Sequence, residues 1–278
     1  LLYHVRNYLL KFQPESHRME KLDTYLNLCT QYYDLDKPDA PDDAFTFYLQ
    51  YAKRIGGKVL EPMCGSGRFL IPIMELGFDI EGCDASQSML EALYIKCKNK
   101  KIKPKVWQDF VQDLDKNNIY NLAFIPSGSL NLITNLNQLK RSLKNIHHSL
   151  VSGGTFVIEL ITLAEAERQE TNRWWGSMQT IPDGRKIVIS SMNLPLINNI
   201  GQSICRYELI ENNQIVKTEV ETYELQFYEA DEMESLLTEA GFSNIRIIKA
   251  FEHGKMPDES DDVIVYECSK LKYSGPHK

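Results

Sequence analysis

Between Gly57 and about Leu160, short apolar runs alternate with stretches in which apolar residues recur every three or four positions. That change of period predicts strands linked by helices, the signature of βαβ units and a parallel sheet. Strands are predicted at Val59–Leu60, Ile80–Cys83, Lys105–Trp107, Leu122–Ile125 and Thr155–Leu160, with helices at Arg68–Leu76, Ser86–Lys98 and Gln138–Leu150. Ser152–Gly153–Gly154 reads as a left-handed stop for the last of these helices.

After the fifth strand the pattern changes. Arg185–Asn193, Gln202–Ile210 and Ile215–Phe227 are extended and alternating, with turn signals at Asp183–Gly184, Asn198–Asn199 and Asn212–Asn213. Such turns predict hairpins and therefore antiparallel pairing. Helical spacing returns at Asp231–Ala240, ends at Gly241, and leads to two more strands at Ile245–Ala250 and Asp262–Cys268. The expected fold class is α/β, a doubly wound, mostly parallel sheet with an antiparallel β excursion inserted between the fifth strand and the last helix. In this reading residues 20–162 and 228–270 form the main domain, 163–227 the insertion, and 1–19 a poorly ordered N-terminal lead with no assigned chemistry.

Composition narrows the partners. With 43% hydrophobic and 25% charged residues the chain can bury a full core. Its 38 acidic against 31 basic residues give a net charge of -7, without the broad positive field that phosphate backbones attract, so no nucleic-acid partner is expected. The six cysteines form no C-x-x-C pair and have no histidines at ligand spacing, which argues against a metal site or a disulfide framework and for a reducing, cytoplasmic setting. Leu1–Leu10 is interrupted by His4, Arg6 and Asn7 and fits a signal peptide poorly, and no run reaches the length of a membrane span. A homodimer stays open.

The chemistry concentrates at strand ends. In Val59–Leu60–Glu61–Pro62–Met63–Cys64–Gly65–Ser66–Gly67–Arg68 an acid closes a strand, then a glycine turn opens a helix. Gly65 and Gly67 admit a ligand where a Cβ would exclude it. Glu61 suits a cationic amino group. No Walker Lys-Ser/Thr follows the second glycine, which argues against a nucleotide triphosphatase, and Leu70 stands where a dinucleotide motif needs its third glycine. Asp84, about 20 residues on at the end of the second strand, is placed for ribose hydroxyls. Gln108, Asp109 and Phe110 end the third strand with groups suited to an adenine, and Ile125–Pro126–Ser127 ends the fourth beside the same crevice. Blander readings exist for some of these: Asp84 as a helix cap, Phe110 and Met89 as core.

Leu60–Arg68, Gly82–Met89, Gln108–Phe110 and Ile125–Ser129 resemble the successive motifs of class I, Rossmann-like, S-adenosylmethionine (SAM)-dependent methyltransferases, and Leu143–Gly154 and Glu229–Phe242 extend the likeness. The resemblance covers roughly residues 30–165 and 228–268 and is nearest in feel to small-molecule glycine/sarcosine and amino-sugar N-methyltransferases. It implies SAM as cofactor, S-adenosylhomocysteine as product and a small-molecule acceptor methylated on N or O. The cofactor contacts it implies are Glu61, Gly65, Gly67, Asp84, Met89, Asp109 and Phe110, to which Tyr33, Met63, Ser66, Arg68, Ala85, Gln108, Ile125 and Ser127 are added. One departure is Met63, where the first motif glycine normally stands.

Methyl transfer from a sulfonium is an in-line displacement that needs a positioned nucleophile in a dry pocket more than a dedicated acid–base pair. The acceptor side is correspondingly faint in the sequence. Tyr33, in a segment resembling the family's N-terminal lid, and His253 are the catalytic candidates; Ser129, Arg173, Trp174 and Trp175 are the substrate-binding ones, the tryptophan pair being placed in a rim loop just past the fifth strand. The insertion is expected to shape the acceptor pocket and leave the cofactor pocket untouched. A nucleic-acid or protein methyltransferase and a SAM-binding regulator without catalysis remain the alternatives, although Ile125–Pro126–Ser127–Gly128 is not the Asp/Asn-Pro-Pro-aromatic motif of a base-flipping enzyme.

Overall fold

The computed structural model describes residues 22–272; the N-terminal lead at 1–19 lies outside them. Two helices come first, α1 at Asn27–Asp36 and α2 at Asp42–Ile55. Helix α2 buries Ala44, Phe47, Tyr48, Tyr51 and Ala52, one face at helical spacing. Asp42 and Asp43 in its first turn and Lys53 and Arg54 in its last suit the helix dipole, and Gly56, at φ +65°, ends it.

The alternating core then runs β1 (Val59–Pro62), α3 (Leu70–Glu75), β2 (Ile80–Asp84), α4 (Gln87–Lys100), β3 (Lys105–Gln108), β4 (Tyr120–Ile125), α5 (Leu136–Ser149) and β5 (Leu150–Ile161). After the excursion come α7 (Ala230–Glu239), β10 (Phe242–Lys249) and β11 (Val263–Lys270). These strands make a seven-stranded sheet in the order β10-β11-β5-β4-β1-β2-β3, with β11 antiparallel to both of its neighbours and the other pairs parallel. Every residue of β1 is buried, as expected for a strand covered on both faces. On one face α5 and α7 pack Leu139, Leu143, Ile146, Met233 and Leu237; on the other α2, α3 and α4 pack Phe47, Tyr48, Leu70, Ile73 and Leu93. The strand order reverses between β1 and β4, which opens a crevice at their carboxyl ends.

The excursion consists of α6 (Leu163–Arg168), β6 (Trp174–Thr180), β7 (Lys186–Asn193), β8 (Ile200–Glu211) and β9 (Gln214–Gln226), a separate antiparallel sheet in that strand order. Asn198–Asn199 and Asn212–Asn213 all have positive φ, the geometry of type I′ hairpin turns. One face of this sheet carries Ile187, Ile189, Tyr207 and Leu209, which bury Leu28, Cys29 and Tyr32 of α1. Asn131, fully buried, joins the two sheets: it accepts from the Ile161 N–H at 3.1 Å and donates to the Gln226 carbonyl at 2.8 Å.

Three local expectations are corrected. The glycines at 153–154 do not stop α5, which ends at Ser149 and passes straight into β5; Gly153 instead takes φ +79° where the β4–β5 register shifts. The segment 174–180 is a strand, so Trp174 and Trp175 are not in a loop. Arg68 precedes α3, which starts only at Leu70. Among the described residues no helix is long and apolar enough to cross a membrane.

Candidate functional site

A cavity of about 580 Å³ opens at the carboxyl ends of β1, β2, β3 and β4. That is within the usual range for a small-molecule site. Its floor is the loop after β1, where Met63, Gly65 and Gly67 have φ of +58°, +52° and +85°. The glycine-replacing Met63 thus holds the left-handed conformation that glycine adopts freely, and its side chain packs against the core. A Cβ at Gly65 would meet nothing within 4 Å, so its bare backbone faces open cavity. At Gly67 a Cβ would sit 2.9 Å from the Ile71 side chain and 3.1 Å from that of Leu93. Gly67 therefore serves helix packing rather than ligand approach.

Two carboxyls stand at the back. Asp84 accepts the Gly65 N–H at 2.7 Å through one oxygen and the Ser86 N–H at 2.8 Å through the other. A carboxylate has about four lone-pair sites, so two remain for hydroxyl donors. Burial lifts its pKa to about 6 in spite of those N–H groups. The helix cap is Ser86, whose hydroxyl accepts the Met89 N–H at 3.1 Å. Glu61 is buried, and its Oε2 has no hydrogen-bond partner. Burial, followed by the Asp84 charge, drives its pKa well above the ordinary value, only partly opposed by Arg68 and the Leu70 N–H. An orphaned carboxylate oxygen facing a cavity is a place for a cationic donor.

The walls come from several elements. Tyr33 on α1 reaches the cavity, and its hydroxyl accepts Arg68 Nη1 at 2.8 Å, leaving the phenol proton for another acceptor. Burial raises the Tyr33 pKa, with Arg68 opposing. Arg68 also donates to the Asp39 carbonyl at 3.2 Å, and Ser66 donates to Asp34 of α1. Asp109 and Phe110 follow β3, and burial raises the Asp109 pKa against a hydrogen bond from Trp107. Ser127, at φ +58°, gives its N–H to the buried Glu159, and the Ser129 hydroxyl donates to the Pro126 carbonyl at 2.9 Å.

Of the residues singled out in the sequence, the cavity brings together Tyr33, Glu61, Met63, Gly65, Ser66, Arg68, Asp84, Ala85, Met89, Asp109, Phe110, Ser127 and Ser129. Six others lie outside its lining, besides Gly67. Ile125 is wholly in the core beneath it, and Gln108 turns its amide to the Ala85 carbonyl at 3.0 Å, bracing two strand ends. His253 stacks on Phe47 at 4.4 Å, and burial lowers its pKa. Trp174 and Trp175 are about half exposed on β6, the strand of the small sheet farthest from β9. Since β9 is the strand of that sheet that borders the cavity, three interstrand spacings of about 4.8 Å separate them from it. Arg173, just before them, pairs with Glu170 at 2.8 Å. The cavity is also lined by residues that the sequence does not mark as candidates, among them Asp23, Tyr25, Thr134, Gln138, Thr222 and Glu224. Thr134 lies beyond the 3-10 turn Ser129–Leu132 and Gln138 inside α5, out of reach of a strand-end rule, and nothing local marks Thr222 or Glu224.

Residues 33–247 match a family model described as a methyltransferase domain. A Geobacillus sp. (strain WCH70) protein named as a candidate methyltransferase is 20% identical over 244 residues, covering 86% of this chain and 97% of that protein. A SAM-dependent methyltransferase from Clostridium acetobutylicum has a similar fold (TM-score 0.73, 17% identity, 87% of this chain and 96% of that one). So does a sugar N-methyltransferase from Streptoalloteichus sp. (TM-score 0.70, 17% identity, 94% and 98%). With the family model spanning most of its length and the acids and glycine loop set around one cavity, the chain belongs to the methyltransferase domain family, in its Rossmann-like, SAM-dependent class.

Proposed function

We propose that the protein transfers a methyl group from SAM to an amine nitrogen of a small-molecule acceptor. When bound, SAM supplies a methyl carbon made electrophilic by the attached sulfonium. The orphaned Glu61 Oε2 suits the amino group of its methionyl part, the two free lone pairs of Asp84 suit ribose hydroxyls, and Asp109 with Phe110 suits the adenine. Lid residues Leu22–Tyr25 and Tyr33 then keep water from the reacting atoms, which the displacement favours.

The preference for nitrogen rests on the protonation of the lining. Burial pushes the Tyr33 hydroxyl and the Cys64 thiol up, away from a basic role, and Asp84 is already engaged by two N–H groups. Among the described residues no histidine lines the cavity. An amine, once it has shed its proton to solvent, brings its own lone pair, whereas an alcohol hydroxyl needs a base within reach, for which the walls offer only carboxylates, weaker bases than a histidine. The acids Asp23, Asp109 and Glu224 on the walls also favour a cationic amine over an anionic or nucleic-acid acceptor. The sugar N-methyltransferase fold of the Streptoalloteichus protein supports the same choice and makes amino sugars the first class to try. The six unpaired cysteines fit a reducing cytoplasm.

Methyl-labelled SAM incubated with the protein and a panel of amino sugars, simple amines and their hydroxyl analogues tests this. Label is expected on amines. Methylation of the hydroxyl analogues alone would overturn the nitrogen reading, and SAM binding without transfer to any panel member or metabolite extract would favour a non-catalytic SAM-binding protein.

A further inference from the structure

Helix α1 has no capping side chain of its own. Leu26 stands at its N-cap, and no acid occupies its first turn. The free N–H groups are taken instead by β9 of the inserted sheet: Glu221 accepts from Tyr25 N at 2.9 Å and Leu26 N at 2.8 Å, and Glu219 accepts from Leu28 N at 2.6 Å. Glu221 is buried, and Glu219 is further held by Lys217 at 2.6 Å. Two carboxylates at a helix N-terminus satisfy orphan donors and complement the dipole. Tyr25 is gripped from the other side too, since its carbonyl accepts the Ser86 hydroxyl at 2.8 Å and its φ is +52°, a strained value for a tyrosine. Ser86 is the cap of α4, two residues after Asp84.

The same helix reaches the cofactor loop at its far end. Asp34 accepts from Ser66 and pairs with Lys96 at 3.0 Å, while Tyr33 holds Arg68. The cavity is bordered by Leu22–Tyr25 just before the clamp and by Tyr33 beyond it. We propose that Glu219 and Glu221 are positioning residues of the cofactor site: they hold residues 25–33 closed over it, so that the inserted sheet and cofactor affinity are coupled. This rests on the reading of the cavity as a SAM site. It makes the excursion part of the cofactor lid as well as of the acceptor wall.

The test uses the whole chain with S-adenosylhomocysteine as probe, by calorimetry and amide hydrogen exchange. Glu221→Ala removes both acceptors and Glu221→Gln keeps one; Val220→Thr, on the exposed side of the same strand, is the control. Cap loss of this kind is expected to weaken S-adenosylhomocysteine about tenfold in Glu221→Ala, less in Glu221→Gln and not in the control, with faster exchange at residues 25–33. Amides of β1, β4 and β5 should stay protected, which separates lid opening from loss of fold. By reciprocity, the probe added to the unmodified chain should slow exchange at Tyr25, Leu26 and Leu28, an observation that needs no variant to fold. A folded Glu221→Ala that binds within twofold of wild type, or exchange at those amides indifferent to the probe, overturns the clamp alone. An unmodified chain that binds no probe overturns the cofactor reading, and the clamp with it.

Discussion

Glu61→Gln separates a functional carboxylate from a structural one, because the two roles give opposite signs. The ligand-free chain buries a carboxyl with one oxygen unpartnered, and burial together with Asp84 disfavours its ionised form. An unsatisfied buried polar group costs about 1–3 kcal/mol, and the amide, neutral at every pH and nearly the same in shape, needs no proton taken up on folding as the raised carboxyl does. Allowing for the amide's own imperfect bonding, Glu61→Gln should stabilise the ligand-free protein by about 1–2 kcal/mol, or roughly 2–8 °C in Tm at this chain length. The bound amino group would lose a charged partner, worth about 1.5–3 kcal/mol, so affinity should fall about 10- to 150-fold. Thermal unfolding with and without S-adenosylhomocysteine measures both. Calorimetry in buffers of different ionisation enthalpy adds a third readout: the raised pKa means that wild type should release a proton as the amino group pairs with Glu61, and the variant should not. A variant that loses ligand-free stability while binding normally would show that Glu61 is a strut of the β1 turn, and the amino-group assignment would fall.

Asp84, lifted to about 6, should weaken S-adenosylhomocysteine binding as pH falls from about 7 to 5, and Asp84→Asn should flatten that profile; an equally steep profile in the variant would assign it elsewhere. For stability the sign reverses. The folded pKa lies above the ordinary 3.8, so Asp84 stabilises below about pH 4 and that contribution is lost as pH rises through 6. Denaturant titrations should show Asp84→Asn gaining about 1–3 kcal/mol on wild type between about pH 4 and 7. Asn131→Ala leaves the Ile161 N–H and the Gln226 carbonyl without their partner in a fully buried site, and should destabilise by about 2–4 kcal/mol in the same assay; a change under about 0.5 would show that the two sheets do not depend on this bridge. Gly67→Ala combines φ +85° with a Cβ 2.9 Å from Ile71 and should cost about 1–3 kcal/mol of stability, whereas Gly65→Ala, at φ +52° but with open space, should carry only the backbone strain of about 1–2 kcal/mol and in addition reduce ligand affinity.

The parallel core was legible because its central strands β1 and β4 are buried on both faces and read as short apolar runs cut by glycine turns. The cofactor side was legible for a related reason. Glu61 and Asp84 lie at the carboxyl ends of β1 and β2 and Asp109 follows β3, and a parallel sheet gathers those strand ends on one side. Helix α2 left an adequate trace in Phe47, Tyr48 and Tyr51, but it lies upstream of the loop from which the strands were counted. Strand β6 was hidden because Trp174 and Trp175 are adjacent, fall on opposite faces, and are followed by Gly176, so no alternation shows.

The role of the excursion was illegible for a deeper reason. Position along the chain suggests that an insertion leaving after every candidate cofactor residue shapes the acceptor pocket alone. Yet Glu221 meets Leu26 across 195 residues of sequence, and Tyr25 meets Tyr223 across 198. Nothing local to either segment reports such a contact. A buried glutamate in an alternating strand reads as surface, and Leu26 reads as a poor cap with no partner in view. Only after the small sheet packs Ile187, Ile189, Tyr207 and Leu209 on Leu28, Cys29 and Tyr32 do the two defects answer each other, each supplying what the other lacks. The strand-end acids of the cavity were therefore readable one strand at a time, while the contact between β9 and the start of α1 beside it required two segments that no spacing rule connects.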